Sequence, residues 1–139
     1  MLRKSTRIGH KMNKYQKGAR FEREIIRKFW KYGWTAVRSA GSGSIKFPVP
    51  DVIAIKDGKI LLIECKVTKK DRLNVKKAAT ELKKFSDIAK CDAYICIKFQ
   101  KKEPRFYSID ALISKKNYSI GINDKYLSIE TIVGEQSLL

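Results

Sequence analysis

The sequence predicts an α/β fold: a mixed central β-sheet flanked by helices on two faces. Three observations carry this. Apolar residues recur at helical spacing over 15–32. An Asp57-Gly58 pair separates two β-rich runs, which is among the strongest short hairpin signals. A second amphipathic stretch, 73–89, is followed by a continuous apolar run over 93–99. A helix between the hairpin and that apolar strand makes a crossover, right-handed by the usual rule.

The elements follow in order. In the first helix Phe21, Ile25 and Phe29 recur every four residues, joined by Ile26, and Gly33 supplies the stop. A short strand is expected over 34–38. Residues 39–50 are rich in Ser, Gly and Pro and read as a loop. The hairpin strands span 51–55 and 59–67. In the second helix Val75, Ala78, Leu82, Phe85 and Ala89 mark the buried face, and the lysines mark the wet one. The run Tyr94-Ile95-Cys96-Ile97-Lys98-Phe99 is apolar enough for a strand buried in the sheet. Another strand is expected over 105–109. Residues 126–133 fit a strand or a short helix, and a helix is favoured. Residues 1–13 are expected to form a flexible basic arm, and 14–139 a single domain.

Composition narrows the partners. With 43% hydrophobic residues, the chain can build a core without disulfides or structural zinc. The formal charge of +17 is unevenly spread. Residues 1–105 hold 28 Lys and Arg against 10 Asp and Glu, whereas residues 106–139 hold 3 against 4. The basic part implies a polyanion partner, and the neutral part implies core or subunit interface. No stretch approaches the roughly 18 apolar residues of a spanning helix. The N-terminus lacks the apolar run of a signal peptide. Nucleic acid is therefore preferred over a membrane, and a cytoplasmic location is expected. Cys65, Cys91 and Cys96 show no zinc-type spacing and are read as structural.

The chemistry concentrates on the hairpin. Asp51 opens its first strand, so it meets the far end of the second, where Glu64 and Lys66 stand. Strand alternation puts Glu64 and Lys66 on one face, with Ile63, Cys65 and Val67 on the other. Each residue has a bland alternative. Asp51 could be a turn aspartate, and Glu64 with Lys66 an exposed ion pair of little value. Together they are harder to dismiss, because two carboxylates in an apolar sheet repel and lose hydration unless a cation lies between them. Glu22, among Arg20, Arg23 and Arg27 on the first helix, is a third acid; its alternative is an ion pair within the helix. Hard carboxylate oxygens suit Mg²⁺. Such a site serves phosphodiester hydrolysis: the ion neutralises the phosphate and the leaving oxygen, while Lys66 orients water or adds charge.

These residues match a known pattern. The Asp, then Glu-x-Lys arrangement resembles the restriction-endonuclease-like nuclease core. Four separated blocks are similar to the archaeal Holliday junction resolvases: Lys17-Gly18-Ala19-Arg20-Phe21-Glu22-Arg23-Glu24, Val37-Arg38-Ser39-Ala40-Gly41-Ser42, Pro50-Asp51 and Ile63-Glu64-Cys65-Lys66. The segment Val67-Thr68-Lys69-Lys70-Asp71 also looks like that family. The resemblance covers about 14–106, with a weakly matching C-terminal third.

The resemblance implies a homodimeric endonuclease that nicks opposing strands of four-way DNA junctions with Mg²⁺, for which Mn²⁺ can substitute. It makes Asp51, Glu64 and the carbonyl of Cys65 metal ligands. Lys66 becomes the catalytic lysine, and Glu22 assists metal or water binding. Arg23 and Arg38 become phosphate-binding arginines, and Lys17 and Lys69 join them as DNA contacts. Ser42 and Ser44 fall in a loop that touches DNA. Two alternatives stay open: another nuclease of the same fold, or a non-catalytic DNA-binding protein. Part of the apolar C-terminal third (Leu112, Ile113, Tyr118, Ile120, Ile122, Tyr126, Leu127, Ile129) is expected to bury against a second copy.

Overall fold

The structure, a computed structural model, describes residues 12–39 and 46–138. Most of the basic arm, and the loop positions Ser42 and Ser44, lie outside them. The elements are α1 (Lys14–Lys31), β1 (Thr35–Arg38), β2 (Val52–Lys56), β3 (Lys59–Thr68), β4 (Arg72–Asn74), α2 (Lys76–Ala89), β5 (Asp92–Phe99), β6 (Arg105–Ser108), α3 (Ile109–Lys115), β7 (Ser119–Gly121) and α4 (Ile129–Leu138).

The start of α1 is fixed by Asn13. Its side chain accepts from the Gln16 amide at 2.8 Å, while Gln16 accepts from the Asn13 amide at 3.1 Å. Phe21, Ile25 and Phe29 form the buried stripe of this helix. Asp57 and Gly58 both take positive φ, 52° and 78°, as a two-residue hairpin turn requires.

Five strands form a mixed sheet in the order β1-β2-β3-β5-β6. The pairs β1–β2, β2–β3 and β5–β6 are antiparallel, and β3–β5 is parallel, with α2 in the intervening connection. Alternation along β3 divides the core into two layers. Leu61 and Ile63 join α1 and α4 on one face, together with Phe29, Trp34 and Phe106. Leu62 joins α2 and α3 on the other. The expected α/β fold is present.

Three expectations need correction. The second helix does not start at Leu73. Residues Arg72–Asn74 are a strand that pairs with β7, more than 40 positions away, in a small second sheet. Along α2 the most buried positions are Ala79, Leu82 and Ser86, preceded by Val75; Ala78 and Phe85 are only partly covered and Ala89 is exposed. Ser86 tolerates burial because its hydroxyl donates to the Lys83 carbonyl at 3.0 Å. Finally, the strand after Arg105 stops at Ser108, which caps α3 through the Ala111 amide. Ile129–Leu138 is helical, as favoured, while Leu127 makes a single bridge to Phe106.

Candidate active site

The hairpin register sets the centre. Val52 pairs with Ile63, so Asp51 stands opposite Glu64 at the open end of β2–β3. The Asp51 carboxylate accepts from the Cys65 amide at 2.8 Å, which ties it to β3. Its main chain is held from the other side: the Asp51 carbonyl accepts from the Ser39 amide at 2.9 Å, and the Ser39 hydroxyl donates to the Pro50 carbonyl. The Glu64 carboxylate lies against the Asp51 amide and carboxyl group. Lys66 follows on the same face, its Nζ 4.0 Å from Glu64 Oε2.

Burial makes this pair electrostatically uncomfortable. The Glu64 side chain keeps only 21% of its exposure, and its pKa is pushed up to about 8, first by desolvation and then by the charge of Asp51. Asp51 is also raised by burial, although the Cys65 amide and the Lys66 ammonium oppose this. Two carboxylates that both resist ionisation at one spot are a natural place for a cation.

Glu22 approaches from α1. Its carboxylate accepts from Arg38 Nε on β1 at 2.6 Å, so its partner is tertiary rather than one of the helix arginines. Burial raises its pKa, the Arg38 bond opposes this, and the charge of Asp51 adds to the rise. Glu22, Asp51, Glu64, Lys66 and Arg38 are thus brought together. Arg23 and Lys69 are exposed, and Lys17 is half-buried near the start of α1. The Cys65 thiol lies beside Cys96 on the neighbouring strand, and burial pushes its pKa well up.

Two groups had no assigned role in the sequence. Ser39 braces Pro50 and Asp51, and its position directly after Arg38 was the available signal. Asn74, Lys77 and Glu81 share a groove with Glu64 and Lys66, a proximity that only the packing of β4 and α2 reveals.

Comparison with known proteins identifies the family. The family model for the archaeal Holliday junction resolvases (hjc) matches residues 13–138. The chain belongs to that family. The match extends through the C-terminal third, well beyond the stretch in which the resemblance is legible by eye. Among curated relatives, the crossover junction endodeoxyribonuclease Hjc of Archaeoglobus fulgidus is 36% identical over 108 residues, covering 75% of this chain and 78% of the relative. The Hjc of Methanocaldococcus jannaschii is 34% identical over 119 residues, covering 85% and 86%. The solved structure of Archaeoglobus fulgidus Hjc superimposes with a TM-score of 0.73 at 32% identity, over 84% of this chain and 98% of that one.

Membership in the resolvase family implies a nuclease of the divalent-metal-dependent kind and sets aside the non-catalytic reading. Among the described residues, no three His, Cys, Asp or Glu side chains are gathered closely enough to hold a metal by themselves. The donor chemistry nevertheless fits a small hard cation. Asp51 and Glu64 supply two carboxylates in contact, and such an ion keeps several waters of its own. No helix among the described residues is long and apolar enough to cross a membrane.

Proposed function

We propose that this chain is a structure-selective DNA endonuclease that resolves four-way junctions by paired, Mg²⁺-dependent hydrolysis in opposing strands. The observation that carries this is the convergence of Asp51 and Glu64 with Lys66 alongside, at 4.0 Å from Glu64, in a chain of the resolvase family.

Asp51, Glu64 and the Cys65 carbonyl hold the ion, and Mn²⁺ replaces Mg²⁺ there because both accept oxygen donors. When bound, the ion would supply positive charge to the phosphate and the departing oxygen. Lys66 directs a water toward the phosphorus, donating a hydrogen bond that leaves a lone pair aimed at it. Arg38 stands where a non-bridging phosphate oxygen is bound, with Glu22 fixing its guanidinium plane. Glu22 also faces the cluster, where it accepts from the attacking water. Arg23, Lys17 and Lys69 contact phosphates farther along the strands, and Ser42 or Ser44 adds a further DNA contact.

The charge pattern favours structure over sequence as the thing read. Lysines and arginines spread over residues 1–105 serve phosphate contacts, which position DNA without specifying bases. Incubating the protein with a fixed four-way junction and with linear duplex of the same sequence, with and without Mg²⁺, decides the matter. Cleavage of the junction alone, only with the metal, is expected. Equal cutting of the duplex points instead to another nuclease of the same fold.

The protein acts as a cytoplasmic homodimer, with 14–139 as the nuclease domain behind a basic arm at 1–13. The neutral C-terminal third supports the dimer. Ile120 and Ile129 are used up in the chain's own core, but Leu112, Ile113, Tyr118 and Ile122 are only partly covered and Tyr126 is 49% exposed. A groove of about 470 Å³ runs past Tyr107, Leu112, Tyr126 and Leu127. Sedimentation at micromolar concentration should give twice the mass of the 16.0 kDa chain; a monomer both free and on DNA removes the dimer.

A further inference from the structure

Phe47 is 77% exposed, and with Tyr15 at 76% it is one of the two most exposed aromatic side chains among the described residues. Single exposed apolar residues are ordinary. What sets Phe47 apart is where it is held and how its stem is built. It stands four positions before Asp51, with the exposed Lys46 next to it. Its stem is Pro48-Val49-Pro50, in which the two proline rings fix φ and restrict the residue before each.

That stem is attached to the site from two sides. The carbonyls of Pro50 and Asp51 both accept from Ser39. Pro48 and Val49 share a small recess with Glu64, Ala78, Leu82 and Phe85, which seats them against α2. The other exposed rings have partners that account for them, Tyr15 through a bond to Arg38. Trp30 donates to the Ala36 carbonyl at 3.2 Å, and Tyr126 lies under the Arg105 guanidinium at 4.3 Å. Phe47 has no ring or cation partner among the described residues.

We propose that Phe47 stacks on a nucleobase beside the scissile phosphate, one left unpaired at the branch point of the junction. This rests on the junction-cleaving function above. A phenyl ring offers a π-face and nothing that reads a base edge, so the contact tolerates any sequence. It selects instead for bases already free of their neighbours, because unstacking a paired base carries its own cost. Phe47 thereby favours a branched substrate over a continuous duplex, and the proline-braced stem keeps the ring from collapsing onto the protein.

The test combines side-chain changes with base removal. Junction binding is measured in chelator, where nothing is cut, for wild type and for Phe47→Ala, Phe47→Leu and Phe47→Tyr, with circular dichroism to verify folding. Phe47→Ala and Phe47→Leu should each weaken junction binding roughly 5- to 150-fold, the range of one lost base–aromatic stack, while duplex binding stays unchanged. Phe47→Tyr should bind like the wild type. Abasic sites are then walked through the positions next to the nick. At one of them the wild type should lose affinity while Phe47→Ala loses nothing further. Phe47→Leu matching the wild type, or losses that simply add at every abasic position, overturns the stacking role. Neither result touches the resolvase function, which fails if wild-type protein with Mg²⁺ leaves the junction uncut or cuts duplex and junction alike.

Discussion

Asp51→Asn is expected to abolish junction cleavage, by on the order of 10³-fold or more, while junction binding persists or tightens. The substitution is nearly isosteric. Its side-chain oxygen can still accept from the Cys65 amide, which Asp51 does at 2.8 Å, so the open end of the hairpin should keep its shape. What disappears is one of the two anionic charges in contact at the site. A small hard cation held by a single carboxylate and a neutral carbonyl is bound far more weakly. DNA affinity moves the other way, because removing a negative charge beside the phosphate backbone removes a repulsion. Single-turnover cleavage of a labelled junction, with binding measured in parallel, separates the two effects. Cleavage within tenfold of wild type would show that Asp51 is only a turn residue bonded to β3.

The parts of the fold legible in the sequence are those written locally. The Asp57-Gly58 turn fixes the hairpin, and a period of two then determines which side chains of β3 face which core layer. Asp51 and Glu64 follow from the same register, as does the placement of Lys66 beside Glu64. The stripe of α1 is legible for a similar reason, since Phe21, Ile25 and Phe29 fill one side of a helix whose other residues are mostly charged.

What escaped is non-local or too short. β4 and β7 are three residues each and exist because they pair with one another across the second helix; neither carries a strand signal of its own. α3 has seven residues and depends on the Ser108 cap and on Ile109 entering the core. On α2 the repeats 75, 78, 82 and 75, 79, 82 are equally helical, and adjacent alanines at 78 and 79 leave nothing in the sequence to choose between them. The site shows the same division. The Glu22–Arg38 bond joins α1 to β1 across 16 positions, and three helix arginines nearer in sequence hid it. Ser39 acts through main-chain carbonyls, and no residue pattern announces that.

Glu64→Gln should raise the thermal stability of the metal-free protein at alkaline pH while eliminating cleavage. The sign follows from the raised pKa. Burial and the neighbouring Asp51 move Glu64 from its ordinary value of 4.5 to about 8, so the folded chain holds a proton that the unfolded chain releases. Wherever the folded state binds more protons, stability falls as pH rises. The loss therefore begins near pH 4.5, is complete above about 8, and amounts to a few kcal/mol, roughly 5–15 °C in Tm. A glutamine has no such proton to lose. In chelator at pH 8.5 the variant should melt above the wild type, and near pH 4.5 the two should nearly coincide. Adding Mg²⁺ should reverse the order at high pH: a cation bound only by the folded wild type stabilises it by mass action, and the variant gains little. Scanning calorimetry at the two pH values, with and without the ion, measures all four quantities. A variant no more stable than wild type in chelator at pH 8.5 would mean that Asp51 and Glu64 do not share a strained anionic site, and the reason for placing a cation there would be gone.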